Sequence, residues 1–278
     1  MQIAEGLKQA EQKLSDSESA RLDVELLLCS VLECERSKLY AHPELKLTDK
    51  QIASFNELVT LRVEGQPIAH LIKTKEFWSL DLHITQDTLI PRPETERLVE
   101  ATLALIPKNK PVSIFDLGTG SGAIAIALAT ERPLCEITAT DKSEAALIIA
   151  KKNATKHNAT NINFICADWF NLEHDDTYDL IVSNPPYISC DDPHLKQGDV
   201  RYESKSALIS GKDGLDDIRT IIKGANKHLY DKGWLLLEHG YQQGNAVRQL
   251  LAEAGYNNVS TLKDYSQLER ISMGQYIQ

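Results

Sequence analysis

The sequence has no apolar run approaching the ~18 residues that a membrane-spanning helix needs. Residues 1–14 alternate between charged and apolar types, without the basic stretch and apolar core of a secretory signal. We therefore expect a protein of the cytoplasm that does not engage membranes.

Cysteine is scarce, and the spacing of the cysteines does not indicate pairs. The five cysteines are odd in number, and no two of them form a C-x-x-C pair. Reduced thiols are therefore expected rather than disulfides or structural zinc. His194 lies close to Asp191 and Asp192, but no second ligand pair accompanies them, so we expect a solvated loop and no metal site.

Positive charge is also in short supply. Forty acidic residues against 30 basic ones give a net charge of −10. Because contacts with phosphates dominate nucleic-acid affinity, this balance argues against a broad nucleic-acid surface, although it allows a local basic patch. The length of 278 residues suits two domains.

The tetrapeptide 184–187, Asn-Pro-Pro-Tyr, follows the apolar run 180–182. Its two prolines fix φ and remove two backbone donors, so the loop offers carbonyl acceptors and almost no N–H groups. Each residue before a proline is also held extended. Such a surface suits an NH2 group, with Tyr187 as a flat face beside it. The pattern indicates methyl transfer onto an amide or an exocyclic amine.

Three earlier segments each end an apolar strand with a candidate ligand-binding group. The run 113–117 leads into the glycine-rich turn Gly118, Thr119, Gly120, Ser121 and Gly122, whose G-x-G-x-G spacing differs from that of dinucleotide folds. The run 136–140 ends at Asp141, placed to accept hydrogen bonds from ribose hydroxyls. The run 162–166 leads to Asp168, for an adenine amino group, and Trp169, for packing on the base.

Each feature also has a structural interpretation. Asn-Pro is a common turn signal, glycine often only punctuates a chain, and aspartate at a strand end is more often structural than functional. Four such features in order, each at the carboxyl end of a strand where open α/β sheets bind ligands, favour a binding site.

Taken together, these segments resemble the PrmC/HemK family of protein-(glutamine-N5) methyltransferases, which belong to the class I S-adenosylmethionine-dependent enzymes. The resemblance covers most of the chain. It extends through residues 65–71, 76–78, 89–96, 198–203 and 236–240. Ser204 stands where the family usually has a proline, which leaves the rigidity of that loop open.

The resemblance implies an α/β fold: a Rossmann-like sheet with a C-terminal antiparallel hairpin, preceded by a small helical bundle. We expect a helical substrate-docking domain over residues 1–75, a hairpin linker over 76–88 and a catalytic domain over 89–278. The implied activity moves a methyl group from S-adenosylmethionine to N5 of the glutamine in the Gly-Gly-Gln motif of class 1 peptide-chain release factors. The expected product is S-adenosylhomocysteine, and a monomer is expected.

The site residues follow from the same segments. Asn184 and Pro185 are predicted to be catalytic, because their carbonyl oxygens can accept both N–H bonds of the substrate amide; Pro186 and Tyr187 complete the substrate site. The predicted cofactor site is made of Gly118, Thr119, Gly120, Ser121, Gly122, Asp141, Asp168, Trp169 and Asn184.

Other patterns set the expected elements around this site. Apolar periodicity predicts helices in the first ~75 residues, including one over 22–32 and another that begins at a Thr48–Gln51 capping box. The polar stretch 190–212 is a candidate lid. A helix is expected over 215–229, and His239 is expected to be a core histidine rather than a base.

An adenine-N6 nucleic-acid methyltransferase is the main alternative. Such enzymes use the same kind of amine-presenting loop on a flipped base, so residues 184–187 alone do not separate the two activities. The acidic net charge and the N-terminal helices favour the protein substrate. A fold that only binds cofactor would not require an intact acceptor loop.

Overall fold

The computed structural model describes residues 1–15, 17–172 and 175–278. The chain divides into a smaller unit, Met1–Thr74 with His194–Tyr202, and a larger unit, Lys75–Pro193 with Glu203–Gln278. The segment His194–Tyr202 therefore groups with the N-terminal residues although it is distant from them in sequence, which no local pattern indicates. Among the described residues, no helix combines the length and apolar character needed to cross a membrane.

The smaller unit is helical. Its helices are α1 (Ile3–Lys13), α2 (Ala20–Leu32), α3 (Arg36–Ala41), α4 (Asp49–Val63) and α5 (Ile68–Ile72). Side chains from α1, α2 and α4 form one apolar core, with Leu27, Phe55 and Val59 almost completely buried. The capping box is confirmed, because Thr48 accepts from the Gln51 N–H and Gln51 accepts from the Thr48 N–H. On α2, Leu22 is exposed and Leu28 is buried instead.

A short hairpin follows, made of β1 (Thr74–Phe77) and β2 (Leu80–His83). All of it except Thr74 belongs to the larger unit. Asn153, fully buried on a later helix, accepts from the His83 N–H at 2.7 Å and donates to the carbonyls of His83 and Ser121. One amide side chain thus ties the hairpin to the glycine-rich turn.

In the described part of the chain, seven strands form the sheet of the larger unit. They are β3 (Ser113–Leu117), β4 (Glu136–Asp141), β5 (Ile162–Cys166), β6 (Tyr178–Ser183), β7 (Leu229–Glu238), β8 (Asn257–Lys263) and β9 (Glu269–Gln275). Their order is β5-β4-β3-β6-β7-β9-β8. The first five pair in parallel, whereas β9 pairs antiparallel with both β7 and β8. The predicted Rossmann-like sheet with a C-terminal antiparallel hairpin is confirmed.

The helices that cover this sheet are α6 (Glu96–Leu105), α7 (Ala123–Glu131), α8 (Glu144–Lys156), α9 (Asp216–Ala225) and α10 (Gly244–Glu253). Helix α7 is apolar over most of its circumference, and its residues from Ala123 to Ala129 are all buried. Helix α9 ends at Ala225, four residues earlier than the sequence pattern predicts, because β7 already begins at Leu229. Because β3 pairs in parallel with both β4 and β6, the carboxyl ends of these three strands lie at one edge of the sheet. The strand order changes direction between β3 and β6, and open sheets bind ligands at such a point.

Candidate active site

A cleft with a cavity volume of about 200 Å³, partly open to solvent, lies at the carboxyl ends of β3, β4, β5 and β6. Seven of the predicted site residues line it: Gly118, Gly120, Asp141, Asp168, Trp169, Asn184 and Pro186. Residues from four separate segments therefore meet around one cleft.

The glycine-rich turn forms the floor of this cleft. Gly118 and Gly120 have φ values of +73° and +56°, a region that side chains disfavour. A Cβ at Gly118 would come within 3.3 Å of the Trp169 ring, whereas a Cβ at Gly120 would meet no atom within 4 Å. Gly118 thus supports the indole wall, and Gly120 leaves space open in the cleft.

The other three residues of the turn face inward. Thr119 is 6% exposed and donates its hydroxyl to Asp116 Oδ2 at 2.6 Å; Ser121 is 2% exposed. A Cβ at Gly122 would lie 2.8 Å from Ile126 Cδ1 and 3.2 Å from Ala150 Cβ. None of the three lines the cleft. These contacts hold the conformation of the turn on the side that faces away from the cleft.

Asp116 is a buried carboxyl directly beneath the turn. Burial raises its pKa to about 7, the Thr119 hydroxyl lowers the pKa, and the nearby charge of Asp141 raises it. Among the described residues, its Oδ1 has no hydrogen-bond partner. The protein therefore holds a second carboxyl close to Asp141 without exposing it to solvent.

Asp141 is held by two backbone donors. Its Oδ2 accepts from the Gly120 N–H and its Oδ1 from the Ser143 N–H, both at 2.9 Å. Each carboxylate oxygen has two lone pairs, so one on each remains for a ligand. The same side chain therefore fixes the turn and presents acceptors at the cleft.

On the opposite side of the turn, Asp168 is exposed and Trp169 is half-buried. Trp169 has a φ of +49°, which is uncommon for a bulky residue. This backbone conformation places the indole against Gly118. The strand end at residue 166 therefore supplies a flat apolar wall and a carboxylate at its rim.

The acceptor loop follows β6. Asn184 lines the cleft and donates Nδ2 to Thr95 Oγ1 at 3.1 Å. Pro186 also lines the cleft, whereas Pro185 is buried and Tyr187 is half-buried; neither of these two is part of the cleft wall. The Tyr187 hydroxyl donates to Glu238 Oε1 at 3.4 Å, and burial raises the pKa of this tyrosine.

Several further lining residues were not predicted to be site residues. They are Gln86, Asp87, Thr88, Leu89, Lys142, Ser143, Ala167, Ser204, Ser206 and Ala207. Most lie in loops without periodicity, so only their position in the fold brings them to the cleft. Three of them come from the candidate lid, and Ser204, the departure from the family pattern, donates to or accepts from Ser206 at 2.9 Å.

A buried ion pair connects the candidate lid, residues 190–212, to residues 90–92. Glu203 is buried, accepts from the Ile90 N–H at 3.0 Å and pairs with Arg92. The ion pair is present, and its carboxylate is buried rather than on the surface.

Elsewhere, His239 is completely buried, and its ring nitrogens hydrogen-bond to Ser272 Oγ and the Gly240 carbonyl. It is a core histidine, as its position after a buried strand predicts. Within residues 1–15, 17–172 and 175–278, no group of three His, Cys, Asp or Glu side chains can hold a metal ion. All five cysteines are free.

Comparison with known proteins assigns the family. The PrmC N-terminal domain matches residues 5–72, and the methyltransferase small domain matches residues 96–198. A release factor glutamine methyltransferase of Escherichia coli (strain K12) is 48% identical over 100% of both chains. The chain belongs to the release factor glutamine methyltransferase family.

Two further members of the release factor glutamine methyltransferase family are similar over nearly the full length. The protein of Xylella fastidiosa (strain Temecula1) is 48% identical over 92% of this chain and 93% of its own. That of Pseudomonas aeruginosa is 47% identical over 96% of both chains. The similarity thus includes the helical unit as well as the sheet.

Solved structures agree on the fold. A methyltransferase from Pyrococcus furiosus has a TM-score of 0.54 at 19% identity and covers 79% of this chain and 98% of its own. The hMettl16 catalytic domain in complex with the MAT2A 3'UTR hairpin 6 has a TM-score of 0.58 at 17% identity, with 84% of each chain covered. At such identities the likeness shows the class I methyltransferase fold alone.

Proposed function

We propose that this protein transfers a methyl group from S-adenosylmethionine to N5 of the glutamine in the Gly-Gly-Gln motif of class 1 release factors. The observation that carries the proposal is the meeting of Asn184 and Pro186 with Asp141 and the glycine-rich turn around one cleft. The full-length similarity to release factor glutamine methyltransferases supports the choice of substrate.

The cleft residues fit a nucleoside-bearing cofactor. The Asp141 carboxylate retains acceptor capacity for ribose hydroxyls, and Gly120 leaves room for close approach to the backbone. Trp169 provides a flat wall for a base, and the Asp168 carboxylate at its rim can accept from an exocyclic amine. When bound, S-adenosylmethionine supplies an electrophilic methyl group. Thr119, Ser121 and Gly122 are proposed to act by shaping the turn.

The acceptor loop acts on the substrate. A glutamine amide is a poor nucleophile because its nitrogen lone pair is delocalised into the carbonyl. Asn184 Oδ1 and the Pro185 carbonyl would accept hydrogen bonds from its two N–H groups. These bonds would orient the nitrogen and stabilise the positive charge that develops on it. Pro186, which lines the cleft, would contact the planar amide, and Tyr187 is proposed to support the loop beside it. The rate gain thus comes from fixed acceptors rather than from a covalent enzyme intermediate.

The helical unit is proposed to dock the release factor. The predicted bounds are a docking domain over residues 1–75, a hairpin linker over 76–88 and a catalytic domain over 89–278. In the structure the two strands of the hairpin span Thr74–His83, and His194–Tyr202 group with Met1–Thr74. Because translation termination takes place in the cytoplasm, this activity would place the protein there. We propose that it acts as a monomer, without direct contact with nucleic acid.

The activity can be tested by mass spectrometry of a class 1 release factor after incubation with isotopically labelled S-adenosylmethionine. The expected product carries one methyl group on the glutamine of the Gly-Gly-Gln motif. The same release factor with that glutamine replaced by asparagine is the matched control, and adenine-containing DNA and RNA test the alternative activity. Label on adenine, with none on the release factor, would overturn the proposal.

Asp141→Ala is expected to weaken cofactor binding about ten- to a hundredfold, because hydrogen bonds to a charged group contribute roughly 1.5–3 kcal/mol. Calorimetry measures the affinity. The variant also loses the acceptors for the Gly120 and Ser143 N–H groups, so a small fall in melting temperature is expected as well. Glu136→Ala, at the exposed start of the same strand, is the control. Unchanged affinity in a folded Asp141→Ala variant would remove this residue from the site.

A further inference from the structure

The returning part of the candidate lid runs beside the acceptor loop. Ile188, the residue after the loop, forms an isolated parallel bridge with Ile209. The N–H and the carbonyl of Ile188 each form a 2.9 Å hydrogen bond with the main chain on either side of Ile209. Because the bridge is parallel, the residues that precede its two partners lie at the same end of it. Residues 204–207 are therefore held next to residues 184–187.

The other end of this segment is anchored as well. Glu203 is 6% exposed, accepts from the Ile90 N–H at 3.0 Å and pairs with Arg92. One turn of 3₁₀ helix, Lys205–Ala207, lies between this buried carboxylate and the bridge. Both anchors are made within the larger unit. The segment thus presents a fixed surface to the cleft.

Two serine hydroxyls on this surface are hydrogen-bonded to each other. Ser204 and Ser206 both line the cleft, and their Oγ atoms are 2.9 Å apart. Each hydroxyl has one proton, and only one of the two protons is needed to join the pair. Among the described residues, neither hydroxyl has another hydrogen-bond partner. The pair therefore has one O–H left to donate to a ligand in the cleft.

The acceptor loop leaves one group of a substrate amide without a partner. Asn184 Oδ1 and the Pro185 carbonyl are proposed to accept from the NH2 group of the substrate. Pro185 and Pro186 have no N–H, and Asn184 Nδ2 already donates to Thr95. These groups therefore offer no donor to the carbonyl oxygen of the amide, which costs free energy if it leaves water without one. The serine pair is a donor in the cleft wall that is held beside this loop.

We propose that Ser204 and Ser206 form the donor for the carbonyl oxygen of the substrate glutamine and thereby fix which way round its amide binds. The inference rests on the proposed function and adds two substrate-binding residues to it. With acceptors on one side and a donor on the other, the planar amide has one favourable orientation, in which its nitrogen faces the acceptor loop. The reversed orientation brings the substrate oxygen against the two acceptors. Because the family usually has a proline at position 204, this pair is a feature of the present chain.

The first test is Ser204→Ala/Ser206→Ala in steady-state methylation of a release factor. Both positions are changed, because either hydroxyl alone retains a proton to donate. The hydrogen bond to the carbonyl exists in the bound substrate and in the transition state alike. KM is therefore expected to rise about three- to tenfold, while kcat changes less than about twofold. An unchanged KM in a folded variant would overturn the proposal.

Two further variants separate the hydroxyls from the shape of the lid. Ser204→Pro/Ser206→Ala also removes both hydroxyls, but the φ of −61° and ψ of 124° at residue 204 suit proline, which stiffens the turn. The same rise in KM is expected. Ser189→Ala is the control, since this hydroxyl donates to the Lys212 carbonyl and Ser189 does not line the cleft. If Ser204→Pro/Ser206→Ala had the parent's KM, the rigidity of the lid would explain the loss in the alanine variant, and the proposal would be wrong.

A third measurement follows the substrate carbonyl itself and needs no turnover. A Gly-Gly-Gln peptide labelled with ¹³C at the side-chain carbonyl of glutamine is bound in the presence of S-adenosylhomocysteine. A carbonyl carbon shifts downfield when its oxygen accepts a hydrogen bond, so the bound signal is expected further downfield with the parent than with Ser204→Ala/Ser206→Ala. Equal bound shifts, with release-factor glutamine still methylated by the parent, would refute the inference alone. Absence of methylation by the parent would refute the proposed function, whatever the two shifts are.

Discussion

Asn184→Ala is expected to slow methyl transfer by two or more orders of magnitude, the scale of losing one preorganised electrostatic contact at a reacting centre. Alanine removes Oδ1, which we propose orients the substrate amide, and it also removes the Nδ2 donor to Thr95. Cofactor affinity should fall much less, because that contact matters most near the transition state. Single-turnover kinetics on a release factor isolates methyl transfer from the release of the partner.

The control for this substitution is Asn163→Ala, an exposed asparagine on β5 that does not line the cleft. Asn184→Asp preserves size but places an oxygen opposite Thr95 and adds negative charge, so partial activity with poorer geometry is expected. Parent-like turnover by Asn184→Ala, with the same glutamine modified, would refute the acceptor mechanism even though the family assignment stands.

Gly120→Val is expected to abolish cofactor binding. The added side chain meets no protein atom within 4 Å of its Cβ, so its volume is taken from the cleft that Gly120 lines. A valine at a φ of +56° is also strained, so a moderate fall in stability should accompany the loss. Addition of S-adenosylmethionine should raise the melting temperature of the parent and leave that of the variant unchanged.

Gly122→Ala separates the two effects. There the Cβ would lie 2.8 Å from Ile126 and 3.2 Å from Ala150, and the residue does not line the cleft. We expect a lower melting temperature than for Gly120→Ala but a retained shift on adding cofactor. If S-adenosylmethionine raised the melting temperature of Gly120→Val as much as that of the parent, the turn would have only a structural role.

The sequence predicts the central part of this site because its signals are local. Gly118, Asp141, Asp168 and Asn184 each lie at or just after the carboxyl end of a strand, and the parallel pairing of β3, β4, β5 and β6 brings these ends to one edge. Within the turn, however, the same motif contains residues of two kinds. Gly120 lines the cleft, whereas Gly122 packs on α8, and only the surrounding atoms distinguish them.

The helical unit shows the same division. The Thr48 capping box depends on residues three apart, so the sequence predicts the start of α4 directly. The grouping of His194–Tyr202 with Met1–Thr74 depends on contacts such as that between Arg62 and Asp199, which are 137 residues apart. No periodicity in either segment indicates the other.

By itself, the sequence determined the fold class, the glycine-rich turn and the acceptor loop, because backbone conformation near glycine and proline and the burial of apolar strands depend on neighbouring residues. Only the tertiary structure decided which side chains support that loop. Thr95 and Asn184 are 89 residues apart and belong to different elements, so their hydrogen bond exists only once α6 packs on the sheet. The environment of Glu238, and with it the raised pKa, likewise arises from burial by distant parts of the chain.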